Sequence, residues 1–231
     1  MLLRWRLVVT VVAMALVACG GGGGVDEDAV GPPPATGKAG DVAMANTILL
    51  QQADMPAGWR GAAHTETELE RTRSRELSIC SGRGDPEANR SALVYGPDLS
   101  MGQTQASSIA TVVERIEDAR ADLEAVRGPR FGDCVVKSFT EDLRRQAPDA
   151  KVEAVAFEPL PVENLGDGSV GVRLTANLVY PDRTERLFAD LVYISKDRAT
   201  VSATFFSFNQ PFPATLQQSL VSRMGNRIAT A

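Results

Sequence analysis

The chain has 231 residues and a net charge of −5, with 24 basic side chains against 29 acidic ones. That acidic balance argues against nucleic acid as a partner, because gripping phosphates needs a net basic face. Once a leader and a tether are set aside, about 190 residues remain, enough for one domain with a real core.

The leader comes first. Arg4 and Arg6 give a short positive region, and Leu7 to Val17 is apolar except for Thr10. Small residues then lead to Cys19. This is the pattern of a secretory signal peptide over residues 1–18, and the apolar run is too short for a membrane span. Leu16-Val17-Ala18-Cys19 resembles the bacterial lipobox. That resemblance implies cleavage before Cys19, a thioether-linked lipid on its thiol and an acylated N-terminus such as palmitate. Two or more acyl chains suffice for stable anchoring. The expected address is the extracytoplasmic face of the cell membrane, with the membrane as partner through the lipid. An ordinary secretory peptide with a stray cysteine is the alternative. Without Arg4 and Arg6, 22 basic side chains face 29 acidic ones.

Residues 19–40 read as a lipidated cysteine and tether. Five glycines, Val25-Asp26-Glu27-Asp28 and Gly31-Pro32-Pro33-Pro34 bury too little apolar surface to fold. The glycine run lacks the strand before it and the Gly-Lys-Ser/Thr ending of a phosphate loop. The domain is expected over 41–231. Asp41 caps a short helix to Ala53, with Val42, Ala45, Ile48 and Leu49 on one face. Met55-Pro56-Ala57-Gly58-Trp59 turns the chain and presents Trp59. Residues 64–76 alternate in charge, Glu66, Glu68 and Glu70 on one parity and Arg71, Arg73 and Arg75 on the other. They read as a solvated edge strand or loop, or as a strand whose arginines hold an anion.

Cys80 and Cys134 remain after Cys19 is consumed. Outside the cytosol a disulfide between them is expected, closing a loop worth roughly 4 kcal/mol on the chain-entropy argument. A pair of buried free thiols is the rival. Ser91–Tyr95 is a short strand. Gln103–Val126 keeps helical spacing through Ile109, Val112, Val113, Ile116, Ala119, Leu123 and Val126. Gly128-Pro129 ends that helix, and Asp133 caps another to about Gln146.

From Lys151 the period changes from 3.6 to 2. Lys151–Glu158, Ser169–Tyr180, Glu185–Ser195 and Arg198–Phe208 alternate, joined by short turns, and the last three form an antiparallel meander. Pro211–Ile228 is a final helix striped by Phe212, Leu216, Leu220, Met224 and Ile228. Helices and strands are segregated. The fold class is therefore α+β, one twisted antiparallel sheet packed by amphipathic helices.

Several features then come together. They are Leu49-Leu50 with Asp54-Met55-Pro56-Ala57-Gly58-Trp59, Cys80, Phe131-Gly132-Asp133-Cys134, Leu165-Gly166-Asp167, three strands and a last helix. Together they resemble the PknH-like extracellular sensor domains of mycobacterial membrane Ser/Thr kinases, which also occur on actinobacterial lipoproteins. The resemblance covers about residues 42–230. It implies a sheet with helices around a ligand-binding cleft. The chain departs from it by having one disulfide pair where the kinase sensor domain has two, and no kinase or membrane-spanning segment to signal in cis.

No catalytic constellation is legible. His64 is the only histidine. It falls in a polar stretch without a matched nucleophile and reads as an exposed structural residue. Asp167 sits in a glycine-flanked turn, where an aspartate bonds the local backbone. No metal or cofactor motif appears. Phe205, Phe206, Phe208 and Phe212 form the densest aromatic group. They read as core under the last helix or, with Trp59, as an apolar ligand cleft. The expected function is a non-enzymatic, lipid-anchored envelope module. It captures a small or envelope-derived ligand, or a partner protein, between sheet and helices. A lipid or glycolipid carrier of the envelope is the alternative, and an enzyme or enzyme inhibitor a third reading.

Overall fold

The computed structural model describes residues 35–231. The leader, Cys19 with its expected lipid, and the tether up to residue 34 lie outside the described residues. In chain order the elements are β1 (Ala35–Gly37), α1 (Ala39–Ile48), a 3-10 turn at Gln52–Asp54, β2 (Arg60–Ala62) and α2 (Glu68–Ser81). Then come β3 (Arg90–Tyr95), β4 (Asp98–Met101), β5 (Thr104–Val113), α3 (Ile116–Arg127) and α4 (Pro129–Gln146). The chain ends with β6 (Lys151–Pro159), β7 (Gly168–Val179), β8 (Thr184–Lys196), β9 (Ala199–Phe208) and α5 (Ala214–Thr230). The α+β class read from the sequence is the one adopted.

The sheet is larger than the expected meander. It has nine strands in the order β1-β3-β5-β9-β8-β7-β6, with β4 pairing beside β5 and β2 beside β4. Every pairing is antiparallel. β1 falls inside the stretch expected to be tether. Its Gly37 lies at a φ of 131°, a conformation that only glycine adopts without strain.

Each face of the sheet carries its own core. On one face α1, α5 and the segments beside them bury Ile48, Leu49, Leu50, Phe212, Leu220 and Met224 against Val94, Ala110, Val192, Val201 and Phe205. On the other, Phe131, Val135, Phe139 and Leu143 of α4 cover Val172, Leu174, Leu178, Leu187 and Phe206. α4 covers the β6–β8 half. The β3–β5–β9 half of that face lies open to α2, which leans on α4 through the Cys80–Cys134 disulfide, with Cα atoms 5.9 Å apart.

Two elements differ from the sequence reading. Residues 104–113 are a strand, and the helix begins only at Ile116. Ile109, Val112, Val113 and Ile116 do fit helical spacing. However, Ala106, Ser108, Ala110 and Val112 also alternate, and the segment is rich in Ser, Thr and β-branched residues that favour strands. Residues 68–81 are a helix, where an edge strand or loop was expected. A capping box decides it: Thr67 accepts from the Glu70 amide, and the Glu70 carboxylate accepts from the Thr67 amide at 2.7 Å. Smaller differences follow the same pattern. α1 starts at Ala39, so Asp41 lies in its first turn, and α4 starts at Pro129, so Asp133 is inside it.

Asp41 serves as a clamp. Its carboxylate accepts from Arg198 at 2.8 Å and from the Ser91 hydroxyl, tying α1 to the β8–β9 turn and to β3. Asp54 does the same for the C-terminal helix. It takes a bidentate grip from Arg227 at 2.6 and 2.8 Å, while Arg227 also donates to the Leu49 carbonyl at 2.7 Å. The Arg198 hydrogen bond, followed by that from Ser91, holds Asp41 below the usual carboxylate range. Burial pushes Asp54 up, but the bonds from Arg227 and the Gln51 amide outweigh it and leave it low. Carboxyls depressed in the fold contribute stability above their unfolded value of about 3.9 and lose it as pH falls through the folded values. Urea midpoints taken from pH 7 down to pH 2.5 should therefore drop below about pH 4. Asp54→Asn should flatten that acid limb. An identical limb in the variant would mean that Asp54 carries no part of the acid sensitivity.

Candidate functional site

The open half of the α4 face forms a groove of about 290 Å³ between α2 and the sheet. That volume lies near the lower end of the range for ligand pockets. Its floor follows from strand register. Tyr95 on β3 pairs with Ile109 on β5, Ile109 with Ser202 on β9, Ser202 with Tyr193 on β8, and Tyr193 with Val170 on β7. These five side chains form one row across the same face. At about 4.8 Å per strand, the two tyrosines are separated by about 14 Å.

The rows on either side show why this face stays open. β5 and β9 present Ser107, Ile109, Thr111, Thr200, Ser202 and Thr204 to the groove. Five of these six are hydroxyl residues. Further along the same face, β7 and β8 present Val170, Val172 and Leu191. The floor therefore runs from hydroxylated at the sheet centre to apolar near α4. Hydroxyl side chains at a sheet centre give a covering helix nothing to bury and give a ligand something to bond.

The β3 end is polar and aromatic. His64 is only 5% exposed, which corrects the expected exposed residue. The pairings β2–β4 and β4–β5 bring Asp98 against it, and sheet residue Tyr95 lies under its ring. His64 Nδ1 is 3.2 Å from an Asp98 carboxylate oxygen, and the imidazole stacks on Tyr95 with centroids 4.5 Å apart. The Tyr95 hydroxyl donates to Glu66, which also accepts from Arg71 at 2.9 Å. Burial opposes charge on His64. The Asp98 hydrogen bond and charge, with Glu70 and Glu66 behind them, outweigh it and lift the imidazole above its ordinary value. Burial, then the bond to Glu66, pushes the Tyr95 hydroxyl far up.

The α2 wall contributes Arg73, whose guanidinium lies 2.5 Å from Asp142 on α4. Burial pushes the Asp142 carboxyl up, with Arg73 and Arg145 working against it. At the β8 end, burial pushes the Tyr193 hydroxyl up to about 12, the Arg83 guanidinium opposing it. Arg83 pairs with Asp122 of α3 at 3.3 Å.

Three polar atoms of groove-lining residues are buried without a hydrogen-bond partner among the described residues: His64 Nε2, Arg73 Nε and Tyr193 Oη. Although Thr200 lies beside Tyr193, it makes no hydrogen bond of acceptable geometry to the phenol. Unsatisfied buried polar groups are costly, and a run of them along one groove is what a bound polar molecule would relieve. Chemically, a His–Asp pair can act as a base. His64 Nε2, however, reaches no hydroxyl among the described residues. What the arrangement offers is a set of hydrogen-bonding points over a half-apolar floor. Among the described residues no cluster of three or more His, Cys, Asp or Glu side chains could hold a metal.

The aromatic residues singled out in the sequence lie elsewhere. Trp59 and Phe205 pack on Phe212 with centroids 5.8 and 4.9 Å apart, buried under α5 on the opposite face. Phe206 and Phe208 join the α4 core. The structure does not bring these four residues together in one cleft, because adjacent parities of β9 face opposite sides of the sheet. Arg71, Arg73 and Arg75 all border the groove, carried by a helix and not by a strand: Arg73 is buried against Asp142, while Arg71 and Arg75 pair with Glu66 and Asp85. Asp167 accepts from Lys196 and from the Asp197 amide, the local turn bonding expected of it. Cys19 lies outside the described residues. The residues missed were the floor and its ends. The readable signal was the polar parity of β5 and β9, Ser-x-Ile-x-Thr and Thr-x-Ser-x-Thr, opposite an apolar parity.

No protein-family model matches the chain, and no curated protein matches it. Among solved structures, it is similar to the extracellular domain of PknH from Mycobacterium tuberculosis. The TM-score is 0.41 at 7% identity, covering 88% of this chain and all of that one. It is also similar to LpqN, described as involved in cell envelope biogenesis of Mycobacterium tuberculosis. There the TM-score is 0.28 at 8% identity, covering 74% of this chain and 78% of that one. The domain to which the sequence resemblance points is thus one of the similar solved structures.

Proposed function

We propose that this chain is a non-enzymatic binding protein of the cell envelope, anchored at the extracytoplasmic face by lipid on Cys19. It captures a small or envelope-derived ligand in the groove between α2 and the sheet. One observation carries the reading: His64, Arg73 and Tyr193 each leave a buried polar atom without a partner along a single groove. A ligand with a polar head and an apolar body matches the floor, hydroxylated at β5 and β9 and apolar at β7 and β8. The lipid-carrier reading has less support, because the opposite face is already filled by Phe205, Phe212, Leu220 and Met224.

The test is native mass spectrometry of the full chain recovered from its own host, compared with the denatured mass, which retains any covalent lipid. We expect an extra non-covalent mass of roughly a few hundred daltons, as befits a small ligand pocket. Ser202→Trp places an indole on the groove floor and should abolish that mass. No extra mass in the wild type, or the same mass in Ser202→Trp, sinks the proposal.

A further inference from the structure

The polar end of the groove is built around the chain's single histidine. Three elements and a loop converge on it. β4 contributes Asp98 at 3.2 Å and β3 contributes the stacked ring of Tyr95. The 64–67 segment contributes Glu66, itself held by Arg71, and α2 contributes Glu70. With the carboxylate of Asp98 on Nδ1, the neutral ring carries its proton there and leaves a lone pair on Nε2. Protonation turns the same Nε2 into a donor. That atom is buried and unpartnered among the described residues, so none of them satisfies it in either state.

We propose that His64 makes ligand choice in the groove proton-dependent: the protonated ring favours a ligand bearing an acceptor-only oxygen, such as a carboxylate, and the neutral ring does not. The inference rests on the reading of the groove as a ligand site. The three surrounding carboxylates keep the imidazolium from being expelled by burial, so the charged state is accessible in the fold. Because the imidazole is lifted above its ordinary value, the preference is full below about pH 6.5 and fades as pH rises through the folded value. By linkage, a carboxylate ligand that prefers the protonated ring must itself raise the pKa of that ring. A tenfold preference corresponds to a shift of about one pH unit.

The experiment uses the full chain in lipid nanodiscs with its one histidine labelled in 13C and 15N. Its ring is titrated alone, with 4-phenylbutyrate, and with 4-phenylbutanol, the uncharged counterpart. The expected result is an upward shift of the His64 titration with phenylbutyrate, little or none with phenylbutanol, and loss of the shift in Ser202→Trp. A saturable change in the His64 signal with both probes, at an unmoved titration midpoint, overturns the proton link and leaves the groove reading intact. No saturable change with either probe overturns both. A shift that persists in Ser202→Trp reports anion binding outside the groove and also overturns the proposal.

Discussion

Replacing Arg173 by Met should destabilise the protein by about 3–5 kcal/mol, the usual cost of orphaning a buried charge. Arg173 on β7 lies directly opposite Asp190 on β8. Its Nε and Nη2 both donate to that carboxylate at 2.6 Å. Asp190 is fully buried, under α5, and its one other side-chain partner among the described residues is Gln217, at 3.0 Å. Methionine restores the aliphatic stem of the arginine but none of its charge, so the loss falls on the carboxylate. Adding Asp190→Asn should recover most of the deficit, since an amide needs no counter-charge and still meets Gln217. Urea unfolding of the wild type, the single variant and the double variant measures this directly. A double variant as unstable as the single would place the loss in packing, and the buried charge would not be its cause.

How far the sequence could be read depends on what each segment answers to. β7, β8, β9 and α5 were legible because one uniform core fills the face that each of them buries. Val170, Val172, Leu174, Ala176 and Leu178 hold one parity without exception, and Leu220, Met224 and Ile228 one helical stripe. β5 meets two unlike surroundings. Its even positions meet the α1–α5 core, while Ser107, Ile109 and Thr111 line a groove. β9 has the same two surroundings yet carries Val201 and Phe205 on its core parity; β5 was misread because its own core parity, Ala106, Ser108, Ala110 and Val112, is mostly small and is broken by a serine. That weak parity blurs the alternation, and Ile109 with Val112 and Val113 then mimics a helix. α2 was misread because its charges mask its start. Only the exchange between Thr67 and Glu70 marks a helix there.

The groove itself was illegible for a different reason. His64 and Asp98 are 34 residues apart in sequence, and Tyr95 and Tyr193 meet one row only through the order β3-β5-β9-β8. Nothing local announces either relation. A groove does lie between sheet and helix, but Trp59, Phe205, Phe206 and Phe208 do not line it. Conspicuous aromatics such as Trp59 and Phe205 were drawn into the core, where large apolar surface is best buried. The groove was left with serines, threonines and tyrosines. Polar residues that alternate within a central strand are the more telling mark of a site, because a sheet centre ordinarily excludes them.

The wall of the groove depends on one covalent bond, and removing it should be the other large effect. Cys80 and Cys134 are 54 residues apart and join the last turn of α2 to the first half of α4. The double substitution Cys80→Ala and Cys134→Ala frees a loop whose closure is worth roughly 4 kcal/mol on the chain-entropy argument. That is a large share of the roughly 5–15 kcal/mol that holds a domain of this size together. The loss should also be unevenly spread. α2 contributes only Arg73, Ser78 and Ser81 as buried residues, so beyond the disulfide it is held chiefly by the Arg73–Asp142 pair and by half-buried Leu77 against the α4 core. Hydrogen exchange should therefore rise first along Glu68–Ser81, while β7, β8 and β9 keep their protection until global unfolding. If α2 exchanges no faster than those strands in the double variant, its packing on α4 holds the wall without the bond. If urea unfolding shows a loss below about 1 kcal/mol, the unfolded chain is compact enough already that closing this loop constrains little. With both effects present, the disulfide sets the height of α2 above the hydroxyl floor, and reduction would open the groove at the C-terminal end of α2, away from His64.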